Sequence, residues 1–201
     1  MKPEEEPKHE ASLAVWDVPL RAITGGTFKV KVGAKCSAGC QLAGGEIAVR
    51  DETGARIARQ NLGETPWVGT GLFWTEVDLA APAAEGVYLW SAILASATHQ
   101  EASAGFSFVT VKPAEHTVTV RVIDKDTGEP VKDVAVRLGL YRASTAESGL
   151  AEIAMAGGVY ELTVRKVDYE AAPRTVEVAG DGNIQVEMSY VPKPVQDPYW
   201  G

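Results

Sequence analysis

The sequence predicts an all-β protein made of two tandem β-sandwich domains. Apolar and polar residues alternate along much of the chain, as in residues 28–32 (FKVKV), and this period of two is that of a half-buried strand. Twenty glycines and eleven prolines supply frequent chain reversals, which all-β folds require. The chain has 201 residues, about twice the length of a small sandwich domain, so we expect two separate hydrophobic cores.

The first half of the chain, residues 11–112, contains about seven predicted strands separated by turn signals. The predicted strands begin near Ser12 and continue at residues 28–32, 47–50, 56–58, 72–79, 87–94 and 104–111. Residues 47–50 and 56–58 are joined by the polar segment 51–54 (DETG). Gly54 can take the positive φ of a short turn, so these two strands are predicted to form a hairpin.

A Gly-Val-Tyr step lies at the start of the predicted strand 87–94. Residues 85–90 (EGVYLW) resemble the start of a late strand in immunoglobulin-like sandwiches, where a Tyr hydroxyl bonds back to the preceding corner. Here that residue would be Tyr88. The Cys-Trp-Cys spacing of antibody domains is missing, because the only cysteines are Cys36 and Cys40. The likeness of residues 11–112 to an immunoglobulin-like sandwich is therefore one of architecture.

The second half, residues 116–189, carries an ordered set of motifs. The predicted strands are residues 117–124, 134–138, 150–155, 160–166, 174–178 and 184–188. A polar turn (TGEPV, 127–131) follows the first strand, Thr145 precedes Gly149, and a Gly-Val-Tyr step ends at Tyr160. In this order the motifs resemble the carboxypeptidase regulatory-like (transthyretin-like) domain over residues 116–188. Asp168 stands where that family usually has a glycine before a tyrosine.

The resemblance implies a two-sheet scaffold without a catalytic set. The metal-binding and catalytic residues of carboxypeptidases belong to a different domain that this sequence lacks. Hydroxyisourate hydrolases share the topology but end in Tyr-Arg-Gly-Ser, whereas the similar residues 141–144 (YRAS) are internal here. The three histidines are His9, His99 and His116, and no Gly-x-Ser-x-Gly elbow is present to supply a nucleophile. We expect the protein not to be an enzyme.

The two ends and the junction differ from the predicted sandwiches in composition. Residues 1–10 are rich in Glu, Pro and Lys and cannot bury enough apolar surface to order themselves, which predicts a flexible acidic arm. Residues 113–115 are predicted to be a short hinge. Residues 190–201 form a Pro-rich tail with an aromatic pair, a composition that favours docking to a partner. The predicted partner-binding residues of this tail are Pro194, Pro198, Tyr199 and Trp200.

The charge distribution narrows the range of partners. The formal net charge is −8, and both halves are acidic, so the chain lacks the Lys/Arg cluster that nucleic acid or an anionic membrane surface requires. No apolar run approaches the length that spans a bilayer. The first eight residues contain no apolar signal segment. The chain is expected to be cytoplasmic if Met1 is the native start and exported if a signal peptide has been removed, so the compartment stays open.

Cys36 and Cys40 are the only pair of soft ligands in the sequence. Three residues separate them, so they are not a Cys-x-x-Cys redox motif. A zinc site needs further donors, and no two histidines lie at ligand spacing. The sequence therefore predicts no metal and no cofactor. A disulfide between Cys36 and Cys40, favoured in an oxidising compartment, and two free thiols are weighed equally.

Trp67 is the one aromatic residue predicted to lie on a loop, within the Pro/Gly-rich segment 65–71. Trp16, Trp74 and Trp90 are predicted to pack in the core, because a Trp on an alternating strand is more often buried. A loop-borne ring can stack on a sugar or contact a protein. Trp67 is therefore the candidate contact residue for either ligand.

Together these observations favour a non-catalytic accessory or structural subunit that binds protein partners in a larger assembly. The amino-terminal arm and the carboxy-terminal tail would be its docking elements. The alternative is an exported or surface module that binds a ligand such as carbohydrate, with Trp67 as the platform.

Overall fold

The computed structural model describes residues 9–95 and 101–191. In these ranges the chain forms strands, turns and connecting segments without a helix, which confirms the predicted all-β class. Among the residues described, no helix is long and apolar enough to span a lipid bilayer. The chain divides into two compact units, Met1–Val111 and Lys112–Gly201.

The described strands of the first unit form two sheets. They are β1 (Ala11–Trp16), β2 (Arg21–Ile23), β3 (Thr27–Cys36), β4 (Glu46–Arg50), β5 (Arg56–Asn61), β6 (Phe73–Ala80), β7 (Gly86–Leu94) and β8 (Ala102–Val111). One sheet has the order β1-β3-β6 and the other β2-β8-β7-β4-β5. β2 runs parallel to β8, and the remaining pairs are antiparallel. This is the arrangement of an immunoglobulin-like sandwich.

The core of the first unit lies between the two sheets and follows the alternation in the sequence. Val30 and Val32 of β3 are buried, whereas Lys29, the residue before Val30, is exposed. From the opposite sheet Trp90 and Phe106 complete the same apolar cluster. Each fully buried side chain of this size contributes about 1.5–3 kcal/mol to folding. The alternation thus places one side of β3, β6 and β8 in a shared apolar layer.

The predicted tyrosine corner of the first unit is confirmed. The Tyr88 hydroxyl donates a hydrogen bond to the carbonyl of Ala84 at 3.0 Å. The ring stacks on Phe108 with centroids 5.7 Å apart and an interplanar angle of 21°. The side chain therefore joins the start of β7 to both the corner before it and the aromatic core.

The second unit is a sandwich of two four-stranded sheets. Its strands are β9 (His116–Asp124), β10 (Ala135–Leu138), β11 (Tyr141–Ser144), β12 (Leu150–Met155), β13 (Gly158–Arg165), β14 (Tyr169–Glu170), β15 (Arg174–Val178) and β16 (Gly182–Tyr190). The sheet orders are β12-β9-β16-β14 and β11-β10-β13-β15. β16 lies parallel to β9, and the other pairs are antiparallel.

The polar turns of the second unit have clear physical roles. The carboxylate of Asp124 accepts hydrogen bonds from the backbone N–H groups of Asp126 and Thr127, both at 2.9 Å, and closes the turn after β9. The buried Thr145 hydroxyl donates to the carbonyl of Val131 at 2.7 Å and accepts from the N–H of Val134 at 2.9 Å. These bonds satisfy polar groups that burial would otherwise leave without partners.

Two left-handed positions fix the shape of the chain in this unit. Gly149 has φ 71°, and a Cβ there would stand 2.6 Å from the carbonyl oxygen of Val122, so only glycine fits. Asp168 adopts φ 60° at the position where the resembling family has glycine. Aspartate tolerates this conformation better than most residues do.

Candidate functional site

Three tryptophans lie together on the outer face of the sheet β1-β3-β6. Trp16 is the last residue of β1, Trp74 lies near the start of β6, and Trp67 comes from the loop before β6. We call this group, together with Lys31 of β3, the tryptophan patch. Trp67 keeps 40% of its surface exposed, and the adjacent Val68 keeps 92%. The patch is therefore an apolar surface that the fold leaves accessible.

The predicted core positions of Trp16 and Trp74 are wrong, and only that of Trp90 is right. Trp16 and Trp74 are half-buried, whereas Trp90 belongs to the core cluster. The alternation of side chains along each strand explains why the two rings lie outside the core. Val15 and Phe73 point inward, so the residues that follow them, Trp16 and Trp74, point outward. The sequence thus held the signal that separates these two rings from the core.

The loop that carries Trp67 is held by its own backbone. The Trp67 N–H donates to the carbonyl of Leu72 at 2.7 Å. The Trp67 carbonyl accepts the Thr70 N–H at 3.0 Å and the Thr70 hydroxyl at 2.8 Å. Gly69 and Gly71 take φ 76° and 64° inside this turn, conformations that favour glycine. The loop therefore holds the Trp67 backbone by hydrogen bonds on both sides of the residue.

The rings of the patch pack edge to face. Trp67 lies 5.0 Å from Trp74 at an interplanar angle of 71°, and 5.8 Å from Trp16 at 86°. Such arrangements match the quadrupoles of aromatic rings and contribute about 0.5–1.5 kcal/mol per pair. Gly33 of β3, which pairs with Trp74, makes room for them. A Cβ at Gly33 would lie 3.0 Å from Trp16 Cη2 and 2.8 Å from Leu72 Cδ2.

The tryptophan patch includes one cation, Lys31, and has further charged side chains beside it. Lys31 Nζ lies 5.7 Å from the Trp67 ring centroid and 5.9 Å from that of Trp74, within the range of cation–π attraction. Asp17 Oδ2 accepts a hydrogen bond from the same ammonium at 2.7 Å. On the next row Lys29 pairs with Glu76, whose hydrogen bond raises the pKa of the lysine. The patch thus combines apolar rings with charges of both signs.

A second group of side chains meets at one end of the first sandwich. His9 Nδ1 lies 3.0 Å from Cys40 Sγ, and the ligand atoms of His9, Cys36 and Cys40 all lie within 4.8 Å of one another. Both thiols are free in this structure. The sequence interpretation missed this group, because it sought a ligand near the cysteines along the chain, and His9 lies in the segment before β1.

The two thiols differ in acidity. Burial raises the pKa of Cys36, but the hydrogen bond from Cys40 and the N–H groups of Cys40, Ala38 and Gly39 outweigh it, so the pKa is lowered. The same side-chain hydrogen bond, then burial, raises the pKa of Cys40. Cys36 is therefore the sulfur that first becomes a thiolate.

An open groove runs along the second unit between β13 and the pair β14 and β16. It is lined by apolar and charged side chains, among them Val164, Arg165, Tyr169, Pro173 and Glu187. The described chain leaves the unit beside it, where the Val191 N–H donates to the carbonyl of Asp168 at 2.8 Å. The tail residues Pro194, Pro198, Tyr199 and Trp200 lie outside the described residues, as does His99.

Comparisons with known proteins describe architecture only. No family model matches the chain, and no curated protein matches it. Among solved structures, the Bacillus anthracis TIE protein aligns with a TM-score of 0.34 at 10% identity, covering 94% of this chain and 42% of that protein. The chain thus spans less than half the length of that relative.

Two further solved structures are similar at the same level. BcpA, the major pilin subunit of Bacillus cereus, aligns with a TM-score of 0.35 at 8% identity, covering 91% of this chain and 71% of that one. The fibronectin(III)-like modules of Clostridium thermocellum CbhA align with 0.36 at 11%, covering 94% and 98%. Likenesses this distant carry no argument about what this chain binds.

Proposed function

We propose that this protein is a non-catalytic interaction module of a larger assembly and that the tryptophan patch contacts a protein partner. The observation that carries the proposal is Trp67, which stays 40% exposed beside the almost fully exposed Val68 although two other tryptophans surround it. Contact with a partner would remove this apolar surface from water, and exposed aromatic clusters with a polar rim have the anatomy of protein interfaces.

The rigidity of the patch favours tight contact. Backbone hydrogen bonds on both sides of Trp67 and edge-to-face packing against Trp16 and Trp74 hold the ring before any partner arrives. Ordering a side chain during association costs about 0.5–1.5 kcal/mol. A ring that is already held avoids that cost, so its burial adds more to affinity.

The arrangement of the rings favours a protein partner over the alternative, a carbohydrate. A pyranose needs a flat, open ring face on which to stack. Lys31 Nζ already lies over Trp67 and Trp74, and Trp67 meets both neighbouring rings edge to face. The charged residues around the patch suit the polar rim of a protein interface.

The assignment as a non-enzyme has support from the placement of the titratable groups. The carboxylate with a lowered pKa in the second unit, Asp124, is engaged by turn N–H groups, of which that of Thr127 has the largest effect. We propose a scaffold that binds rather than one that makes or breaks bonds.

We also propose that the second unit is a carboxypeptidase regulatory-like module that acts as a spacer and bears the docking tail. The ordered motifs noted in the sequence support this, and the turns at Thr145 and Gly149 have the contacts that such motifs require. The tail, residues 190–201, remains a predicted docking element. Val191, where the described chain ends, is tied to Asp168.

Site-specific photo-crosslinking tests the patch. A photoreactive residue at Val68 should crosslink one partner protein in an extract of the source cells, and Trp67→Ala should weaken that contact by about 2 kcal/mol or more, about thirtyfold in Kd. The matched control is the same photoreactive residue at Leu20, which is 89% exposed in the first unit, and it should give no such product. A chain ending at Val191 tests whether the tail adds to the contact.

Two outcomes would contradict the protein-binding proposal. One is equal crosslinking from photoreactive residues at Val68 and at Leu20, because the proposed interface includes Val68 and omits Leu20. The second is binding on a glycan array that Trp67→Ala abolishes and Ile57→Ala preserves. Ile57 is an exposed residue of β5 in the opposite sheet, so that result would favour the carbohydrate alternative.

A further inference from the structure

The group formed by His9, Cys36 and Cys40 lies where the fold brings two distant segments together. β1 begins at Ala11, which pairs with Cys36 at the end of β3. One residue further on, the Ser37 N–H donates to the carbonyl of Glu10 at 2.9 Å. The strand pairing and this bond hold the backbone before β1 against the turn after β3. His9 is therefore positioned by the register of the sheet.

The turn that carries the two sulfurs is tight and lined with N–H groups. The Gly39 N–H donates to the carbonyl of Cys36 at 3.1 Å, and Gly39 takes φ 72°, a conformation that glycine permits. The Ala38 N–H donates to Cys36 Sγ at 3.4 Å. Backbone donors around a sulfur stabilise the thiolate, which is the form that binds metal.

The chemistry and the spacing of the three donors fit a soft metal ion. Thiolate and imidazole are the ligands of zinc and copper sites. At the usual zinc–sulfur and zinc–nitrogen bond lengths, tetrahedral ligands stand about 3.5–3.8 Å apart. The observed separations, from 3.0 Å for His9 and Cys40 to at most 4.8 Å within the group, bracket that value. Small side-chain rotations would bring all three atoms to bonding distance.

We propose that His9, Cys36 and Cys40 form a binding site for one thiophilic d10 cation, Zn²⁺ or Cu⁺, with three protein ligands. For Zn²⁺ the fourth position is open to water or to a ligand from outside, as in zinc sites with three protein ligands. For Cu⁺ the three ligands suffice. The bound ion links the segment before β1 to the end of β3.

The surroundings favour such an ion over a bare pair of thiolates. Cys36 is 2% exposed and belongs to the core cluster, and Cys40 packs against it. Unpaired charge is costly beside an apolar core. Two thiolates and a neutral imidazole neutralise Zn²⁺, so the zinc complex removes that cost, whereas a Cu⁺ complex keeps one negative charge and only lowers it. His9 is exposed, which leaves a route by which the ion enters.

The experiment titrates the reduced, untagged full-length chain with one ion at a time. Co²⁺ serves as the spectroscopic probe, because thiolate ligation gives charge-transfer bands in the near ultraviolet and a tetrahedral site gives strong visible bands. Zn²⁺ should displace Co²⁺ at one equivalent and raise the Tm of the protein. Cu⁺, delivered from a competing chelator without oxygen, tests the second ion. The ion that binds more tightly under matched competition is the one the site selects.

Three variants and one control assign the ligands. Cys40→Ser and His9→Ala alter partly or fully accessible positions and should each weaken Zn²⁺ binding at least about tenfold. Cys36→Ser should do the same, and thermal unfolding of the metal-free variant shows whether it still folds, because Cys36 is buried. His116→Gln changes a histidine of the second unit and should bind Zn²⁺ as the wild type does.

Two results would overturn the proposal. The first is the absence of one-equivalent binding of Zn²⁺ or Cu⁺ to the reduced wild type. The second is unchanged affinity in both Cys40→Ser and His9→Ala, which would place any bound ion elsewhere. Neither result bears on the tryptophan patch, whose residues these variants leave intact.

Discussion

The same three residues, Gly-Val-Tyr, build a tyrosine corner in each of the two units. The hydroxyl of Tyr88 donates to the carbonyl of Ala84, and that of Tyr160 to the carbonyl of Ala156, both four residues earlier and both at 3.0 Å. The sheets around them differ in size, since β7 is the third strand of a five-stranded sheet and β13 the third strand of a four-stranded sheet. The corner is therefore a local device that works in two topologies.

The surroundings of the two corners differ in ways that should affect stability. Tyr88 stacks on Phe108 at 5.7 Å, whereas Tyr160 meets Tyr141 edge to face at 5.7 Å and 88°. Gly158 has φ 152°, and a Cβ there would lie 3.2 Å from the Tyr160 hydroxyl oxygen. The comparison teaches that the glycine of one motif can carry different backbone strain, although both strands begin at that glycine.

The largest expected effect comes from Gly158→Ala. A residue with a Cβ cannot easily adopt that φ, so we expect the free energy of unfolding of the second unit to fall by more than about 1 kcal/mol. Gly86→Ala is the matched control, since a Cβ at Gly86 would approach the Tyr88 ring at a similar distance, 3.3 Å, while φ at Gly86 is not positive. Urea denaturation followed by near-ultraviolet circular dichroism measures both. Equal losses of unfolding free energy in the two variants would show that the two corners do not differ in backbone strain.

A smaller and more equal effect is expected from removing the two hydroxyls. Tyr88→Phe deletes the bond to the Ala84 carbonyl, and Tyr160→Phe deletes the bond to Ala156 together with a longer one to the Gly157 carbonyl at 3.4 Å. Each change should lower the free energy of unfolding by about 0.5–1.5 kcal/mol. Because the bonds to Ala84 and Ala156 have the same length, we expect values that agree within about 0.5 kcal/mol. A much larger loss at one site, measured by the same denaturation, would show that its hydroxyl has a further role.

The smallest effect at neutral pH is expected from Asp124→Asn in the second unit, since the amide oxygen still accepts the turn N–H groups. Bonds from Thr127 and Asp126 lower the pKa of Asp124 in the folded state despite its burial. The carboxylate therefore contributes stability above its unfolded pKa of about 3.9, and this contribution is lost as pH falls through the lower folded value. The Tm of the wild type should drop more steeply in acid than that of Asp124→Asn. Parallel curves would contradict this role.

The sequence predicted strands such as β3, β8 and β9 well because alternation extends over many residues in each. It missed β2, β11 and β14, which span three, four and two residues. Such short strands show too little alternation to be recognised, and they exist because a longer neighbour offers them unpaired backbone groups. Their presence is decided by pairing across the fold.

The candidate sites likewise divide into residues whose placement follows from the local sequence and residues whose placement depends on strand pairing. Trp67 was recognised as loop-borne because its neighbours are proline and glycine, and the outward direction of Trp16 and Trp74 could have been read from strand parity. The meeting of His9 with Cys40 could not, because the two residues stand 31 positions apart in the chain. It depends on the register in which β1 pairs with β3, which only the assembled sheet defines.

The parallel pairing of β2 with β8 has a mechanical consequence for the first unit. Of the strands in the five-stranded sheet, β2 comes first in the chain and β8 comes last. The two strands run in the same direction, with residues 21–23 beside residues 109–111. Tension applied through the chain would draw β2 and β8 past each other along their length. Their bonds, including that from the Thr24 N–H to Val111, would bear the load side by side and would have to break together.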